Sequence, residues 1–135
     1  MKGEKMNINI LGYNIFAKGG TSRSNINLIK SFSNSGHNVN YFNTLDFEND
    51  EITRLIIHEG MDSNDVNIYK FEDFKKIADG DLLIITREEL FIYAKDIKQK
   101  NNLIKTIGEI HGPLEYIDES IDLGLEFIDS IRVST

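Results

Sequence analysis

The chain contains no cysteine, so disulfides, thiolate catalysis and cysteine-ligated zinc are all excluded. It also lacks any apolar run near the roughly 18 residues that a membrane-spanning helix needs. The start, MKGEKMNINILGY, is basic, but its apolar run is short, alternates with Asn and meets no small-residue cleavage site. The address expected from this is the cytoplasm, at most the inner face of its membrane. Positive charge is scarce as well: 15 Lys and Arg stand against 22 Asp and Glu, a formal charge of −7. Affinity for a polyanion comes mainly from many Lys and Arg contacts, so a broad nucleic-acid surface is not expected.

Several motifs are missing too. There is no GxGxxG dinucleotide fingerprint, no GxxxxGK followed by Ser or Thr, no GxSxG elbow and no HExxH. The acidic stretches DFENDE and DSNDVN invite a calcium reading, but an EF-hand loop begun at Asp62 would place Asn67 and Asp73 where Gly and Glu are required. No metal site and no cofactor are expected, and a self-contained hydrolase or metalloenzyme has little support.

What is present fits one globular domain over residues 1–135, with 40% hydrophobic and 27% charged residues. Strand and helix patterns alternate. MNINILG (6–12), HNVNYFN (37–43) and DVNIYKF (65–71) read as strands. DLLIITR (81–87) is a nearly continuous apolar run, which suits a central strand buried on both faces. A fifth strand falls within 103–113, and IRVST begins a sixth. Helices are expected over about 21–35, 51–58, a short stretch from 72, 88–100 and about 114–130, the last with a weak point at Gly124. The pattern predicts an α/β protein: a three-layer, Rossmann-like, doubly wound parallel sheet with strand order 3-2-1-4-5-6. In that topology ligands bind beyond the carboxyl ends of the strands, between strands 1 and 4.

The stretch ILGYNIFAKGGTSRSNINLIKSF (10–32) is the centre of this layout: a strand, a glycine loop and an amphipathic helix. Gly19 and Gly20 lack a Cβ and allow positive φ and close approach of another molecule. Thr21, Ser22 and Ser24 offer hydroxyls as caps, and the helix N-terminus favours an anion beside Lys18 and Arg23. The same glycines would also serve a tight strand-to-helix corner with no ligand. By position, His111 in HGP ends strand five, and Arg87 and Glu88 follow strand four, so all three face the expected crevice. Arg87 and Glu88 can equally pair locally or start the helix. His37 and His58 lie away from these loops and read as structural.

The first strand INILGYN, the loop KGGTSRS, the helix NINLIKSF and the entry SGHNVNYFN together resemble the N-terminal half of the GT-B glycosyltransferases, family 4-like in particular. DLLIITRE, IGEIHGP and IDSIRVST follow in the family's order, so the resemblance spans the chain, with little that is diagnostic over 45–80. The resemblance implies transfer of a sugar from a nucleotide-sugar donor to a glycan or polymer acceptor, such as a cell-surface polysaccharide or wall polymer of a bacterium. It implies a cleft between two Rossmann-like domains, this one on the acceptor side. Gly19 and Gly20 would then form the loop at the cleft, Arg23 an anion contact, and His111 an active-site group near the acceptor or the transferred sugar. Arg87 and Glu88 are placed by strand order. The family's second half holds most of the donor site, and the expectation is that this chain without that half is inactive. The alternative is a small non-catalytic α/β module that binds a phosphorylated or nucleotide ligand, or a protein partner.

Overall fold

The computed structural model describes residues 4–111 and 125–134. Within them lies one sheet of six parallel strands in the order β3-β2-β1-β4-β5-β6. The strands are β1 (Asn7–Gly12), β2 (Asn38–Asn43), β3 (Val66–Lys70), β4 (Leu82–Ile85), β5 (Lys105–His111) and β6 (Ser130–Ser134). The helices are α1 (Gly20–Asn34), α2 (Asn49–Glu59), α3 (Phe74–Ile77) and α4 (Ala94–Lys100). This is the Rossmann-like doubly wound arrangement that the alternating pattern predicts, with the direction of winding reversing between β1 and β4.

Period-2 alternation explains the two cores. On one face Ile8, Ile10, Val39, Tyr41 and Ile84 meet Ile26 and Ile29 of α1, with Ile52 and Leu55 of α2 at the margin. On the other face Leu11, Phe42, Leu83 and Ile85 pack against Phe74 of α3 and Phe91, Ala94 and Ile97 around α4. β4 contributes to both, as a continuous apolar run between two neighbouring strands should. α2 has no fully buried residue, and its Ile57 is 75% exposed.

One predicted element differs. Residues 88–100 do not form one helix: Glu88–Tyr93 wind as a tighter 3₁₀ turn, and α4 follows. The tighter winding lets adjacent Leu90 and Phe91 both enter the core. The Phe91 ring lies so close to Gly108 of β5 that a Cβ there would sit 2.5 Å from a ring carbon. The expected helix over 114–130 falls mostly outside the described residues; Leu125–Phe127 form a 3₁₀ turn, and β6 begins at Ser130.

Polar side chains also run through the sheet. Asn9, Asn40 and Asn67 stand opposite one another on neighbouring strands. Asn67 Nδ2 donates to Asn40 Oδ1 (3.4 Å) and Asn40 Nδ2 to Asn9 Oδ1 (3.3 Å). Asn9 Nδ2 then crosses to β4 and the turn before it, donating to the carbonyls of Asp79 (2.6 Å) and Leu82 (3.2 Å). His37 is structural as expected, its Nδ1 accepting the Met6 amide at 3.0 Å.

A second polar cluster lies where β1 ends. Tyr41 Oη donates to the Tyr13 carbonyl (2.5 Å) and accepts from Asn25 Nδ2 of α1 (3.0 Å). Burial pushes the Tyr41 phenol above its ordinary range, so it stays protonated and keeps donating. The cluster fits only because residue 12 is glycine: a Cβ there would meet Tyr41 Oη at 2.5 Å and Thr86 Oγ1 at 2.6 Å. Gly12→Ala is therefore expected to lose about 1–3 kcal/mol in urea unfolding, the usual range for an overpacked core. Gly20→Ala, where an added Cβ meets open space at the first position of α1, should be neutral or gain about 0.5 kcal/mol. Equal losses at both positions would show that crowding at Gly12 is not what matters.

Candidate functional site

The loops at the carboxyl ends of β1 and β4 carry most of the residues singled out from sequence, and the structure sorts them into two places. The first is the switch point itself. Arg87, just after β4, lays its guanidinium over the Tyr13 ring, with 4.9 Å from Cζ to the ring centroid. Its Nε lies 3.5 Å from Glu89 Oε1, close enough for attraction but without hydrogen-bond geometry. Arg87 Nε and the neighbouring Glu88 Oε2 are both buried atoms with no hydrogen-bond partner. Buried polar atoms normally find hydrogen-bond partners, so these two, on consecutive residues after β4, are exceptions to that rule. Stacking on an aromatic ring holds a planar fork ready for an anion or a pair of hydroxyls. Tyr13 is the member of this pair that sequence pattern did not single out; its position directly after the strand-ending Gly12 is the only sign of it.

The second place lies on the other flank of the β1–α1 loop. Asparagines fix this loop: Asn43 Oδ1 accepts the Ile15 amide (2.9 Å), Asn43 Nδ2 donates to Asn14 Oδ1 (3.1 Å), and Asn14 Oδ1 also accepts the Phe16 amide (3.1 Å). Gly19 ends the loop at φ +147, a region that glycine alone occupies readily. Gly20, by contrast, is an ordinary first helical residue without positive φ. The expected side-chain capping does not occur: α1 has no side-chain cap, and Ser22 Oγ donates backwards to the Asn14 carbonyl at 2.7 Å. Its first amides are left open.

Arg23 does not stand free beside those amides. It reaches across to α2 and pairs with Glu59 through two bonds, Nη1 to Oε1 (2.9 Å) and Nη2 to Oε2 (2.5 Å). Glu59 has only 6% of its side chain exposed and also meets Lys30 at 3.6 Å. The Arg23 hydrogen bonds hold the Glu59 carboxyl down at about 2. Glu59 is separated from Arg23 by 36 residues, and no local pattern announces the pair. Around it, α1, α2 and the loop enclose a cavity of about 490 Å³ that Gly19 and Arg23 help to line.

No hydrogen bond or ion pair among the described residues joins the two places. His111 closes β5, and the role expected of its side chain falls outside the described residues, as do Gly112 and Pro113. Among the described residues no group of three or more His, Asp or Glu could hold a metal ion, and no helix is long and apolar enough to cross a membrane. No protein-family model matches the chain, and no curated protein matches it at a significant level.

The Arg23–Glu59 bridge has a definite pH signature. The folded carboxyl titrates at about 2 and its ordinary value is 4.5, so its contribution to stability is complete above 4.5 and disappears as pH falls to about 2. Glu59→Gln should lower the urea midpoint at pH 6, and the gap from the parent should close as pH falls towards 2. A gap that stays constant from pH 6 to pH 2 would rule out the charged pair as its source.

Proposed function

We propose that the chain is the N-terminal, acceptor-side part of a nucleotide-sugar-dependent glycosyltransferase of GT-B type, acting with a second, donor-binding domain at the cytoplasmic face of a membrane. The single observation that best supports this reading is the switch-point group: Arg87 stacked on Tyr13, with unpartnered Nε and Glu88 Oε2 beside it. A sugar carries ring hydroxyls that both donate and accept. In this reading the guanidinium donates to hydroxyl or phosphate oxygens, and the Glu88 carboxylate accepts from a hydroxyl. The Gly19–Gly20 segment lets donor phosphates lie against open amides of α1. His111 stands at the cleft as an active-site group near the transferred sugar. Arg23 is the weakest member of this set, because a ligand anion would have to compete with Glu59 for it.

The domain alone is not an active transferase in this reading. Transition-state charge on the leaving diphosphate needs donors from the second domain, and loss of preorganised donors of that kind costs orders of magnitude in rate. The sugar, the nucleotide and the acceptor are not specified by these residues; a bacterial surface polysaccharide or wall polymer is the acceptor class the resemblance implies.

One observation favours a second reading. The α1 terminus has no side-chain cap and follows Gly19 at positive φ, and in this second reading it takes the anion of a phosphorylated or nucleotide ligand without help from another domain.

Saturation-transfer NMR on this chain with UDP-glucose, GDP-mannose and a panel of short glycans separates the two. Glycan contact that Arg87→Ala weakens at least tenfold, with stability changed by less than about 1 kcal/mol, is the expected result. Tight nucleotide binding that Arg87→Ala leaves intact would favour the module. In the two-domain protein, His111→Ala should lower turnover far more than it lowers the unfolding midpoint; equal turnover at equal folding would remove His111 from the site.

A further inference from the structure

The cavity between α1 and α2 has features that the transferase reading does not use. Its floor is aliphatic: Ile15 and Ile26 are buried there, and Leu55 of α2 forms a wall with Phe16. Charged side chains of both signs complete the lining, with Glu51 already accepting the Glu48 amide at 2.9 Å. Lys18 and Arg54 both line it. Lys18 is exposed and makes no hydrogen bond or ion pair among the described residues. Arg54 is held only by Asp50, at 3.4 Å with both side chains 71% exposed, a pairing that water screens almost completely. The acid deepest in the cavity, Glu59, is already neutralised by Arg23 and Lys30. In a chain of formal charge −7, three cations, Lys18, Arg23 and Arg54, thus stand beside two acids, Glu51 and Glu59, around this apolar floor, and Lys18 is the cation there that no acid holds among the described residues.

We propose that this cavity is a binding site for a small amphipathic anion, a molecule with an alkyl or similarly apolar body joined to a singly or doubly charged phosphate head. The body covers Ile15, Ile26 and Leu55 and gains the free energy of leaving water, about 25 cal/mol per Å² of apolar surface removed. The head stays at the rim, where Lys18 and Arg54 meet it as charge-assisted donors. Neither half of such a ligand is sufficient alone: inorganic phosphate has no body for the floor, and a neutral amphiphile leaves the rim cations unused. The site shares Gly19 and Arg23 with the transferase reading but differs from it in the aliphatic floor and in Lys18 and Arg54, and it involves neither Arg87 nor Glu88.

Octyl phosphate, used below its micellar concentration, is the probe, with octyl glucoside and inorganic phosphate as the two half-ligands. In amide-detected NMR titrations, octyl phosphate is expected to shift resonances of residues 15–26 and 51–59 and to bind at least tenfold more tightly than either control. Lys18→Glu, an exposed change that leaves the core untouched, should erase the preference over octyl glucoside. Leu55→Glu should weaken octyl phosphate and octyl glucoside alike by at least tenfold. Equal affinity for octyl phosphate and octyl glucoside, shifts centred on residues 86–90 instead, or no saturable shift at all would each overturn the proposal. If octyl phosphate shifts residues 86–90, the anion is bound at the switch point, which bears on the transferase reading and not on this cavity.

Discussion

The hydrogen bond from the Tyr41 hydroxyl to the Tyr13 carbonyl is the contact on which the rest of the site depends. It ties the end of β1 to β2, and through Asn25 to α1, at the point where the chain leaves the sheet. Because the Tyr41 side chain is fully buried, leaving its hydroxyl without this acceptor is expensive. It fixes the direction in which residues 13–19 depart, so Tyr13 lies under Arg87 while Ile15 and Phe16 turn towards α2. The two flanks of the loop are therefore set by one phenol, and the missing Cβ at Gly12 is what admits it.

Much of the architecture was legible in the residues. The burial of β4 on both faces follows from LLII, and alternating strands and helices point to a doubly wound parallel sheet, whose order 3-2-1-4-5-6 comes by analogy and is the order observed. The 3₁₀ winding over Glu88–Tyr93 was not legible, because it answers to the space above Gly108, a partner from β5 that only the assembled sheet brings near. The site divides in the same way. Arg87 and Glu88 were placed by strand order alone, and the fold sets them at the switch point. Arg23 was read as a free cation, and only the packing of α2 against α1 supplies the carboxylate that occupies it. Local pattern locates the ends of strands well; it is blind to charge partners drawn from distant helices.

The two flanks differ in how their charges are settled. On the α2 side the buried Glu59 is paired with Arg23 and Lys30, and the exposed Lys18 makes no ion pair among the described residues. At the switch point the reverse holds: the exposed part of Arg87 has an aromatic surface to rest on, and the atoms without partners are the buried ones. A rim of screened charges attracts at a distance and weakly; buried unpaired atoms act only on contact and strongly. The two flanks of one loop therefore present unlike charge environments.

The asparagine row through the sheet bears on how the protein assembles. β1, β2 and β3 are close in sequence and can pair early, while β4 arrives some seventy positions after β1, as the Asn9 contacts with Asp79 and Leu82 record. Until it does, β1 is an open edge and the Asn9 amide is left to water; β4 and the turn before it replace that water with two carbonyls. The first half of the sheet is in that sense an unfinished sentence, and β4 supplies the acceptors that complete its asparagine row.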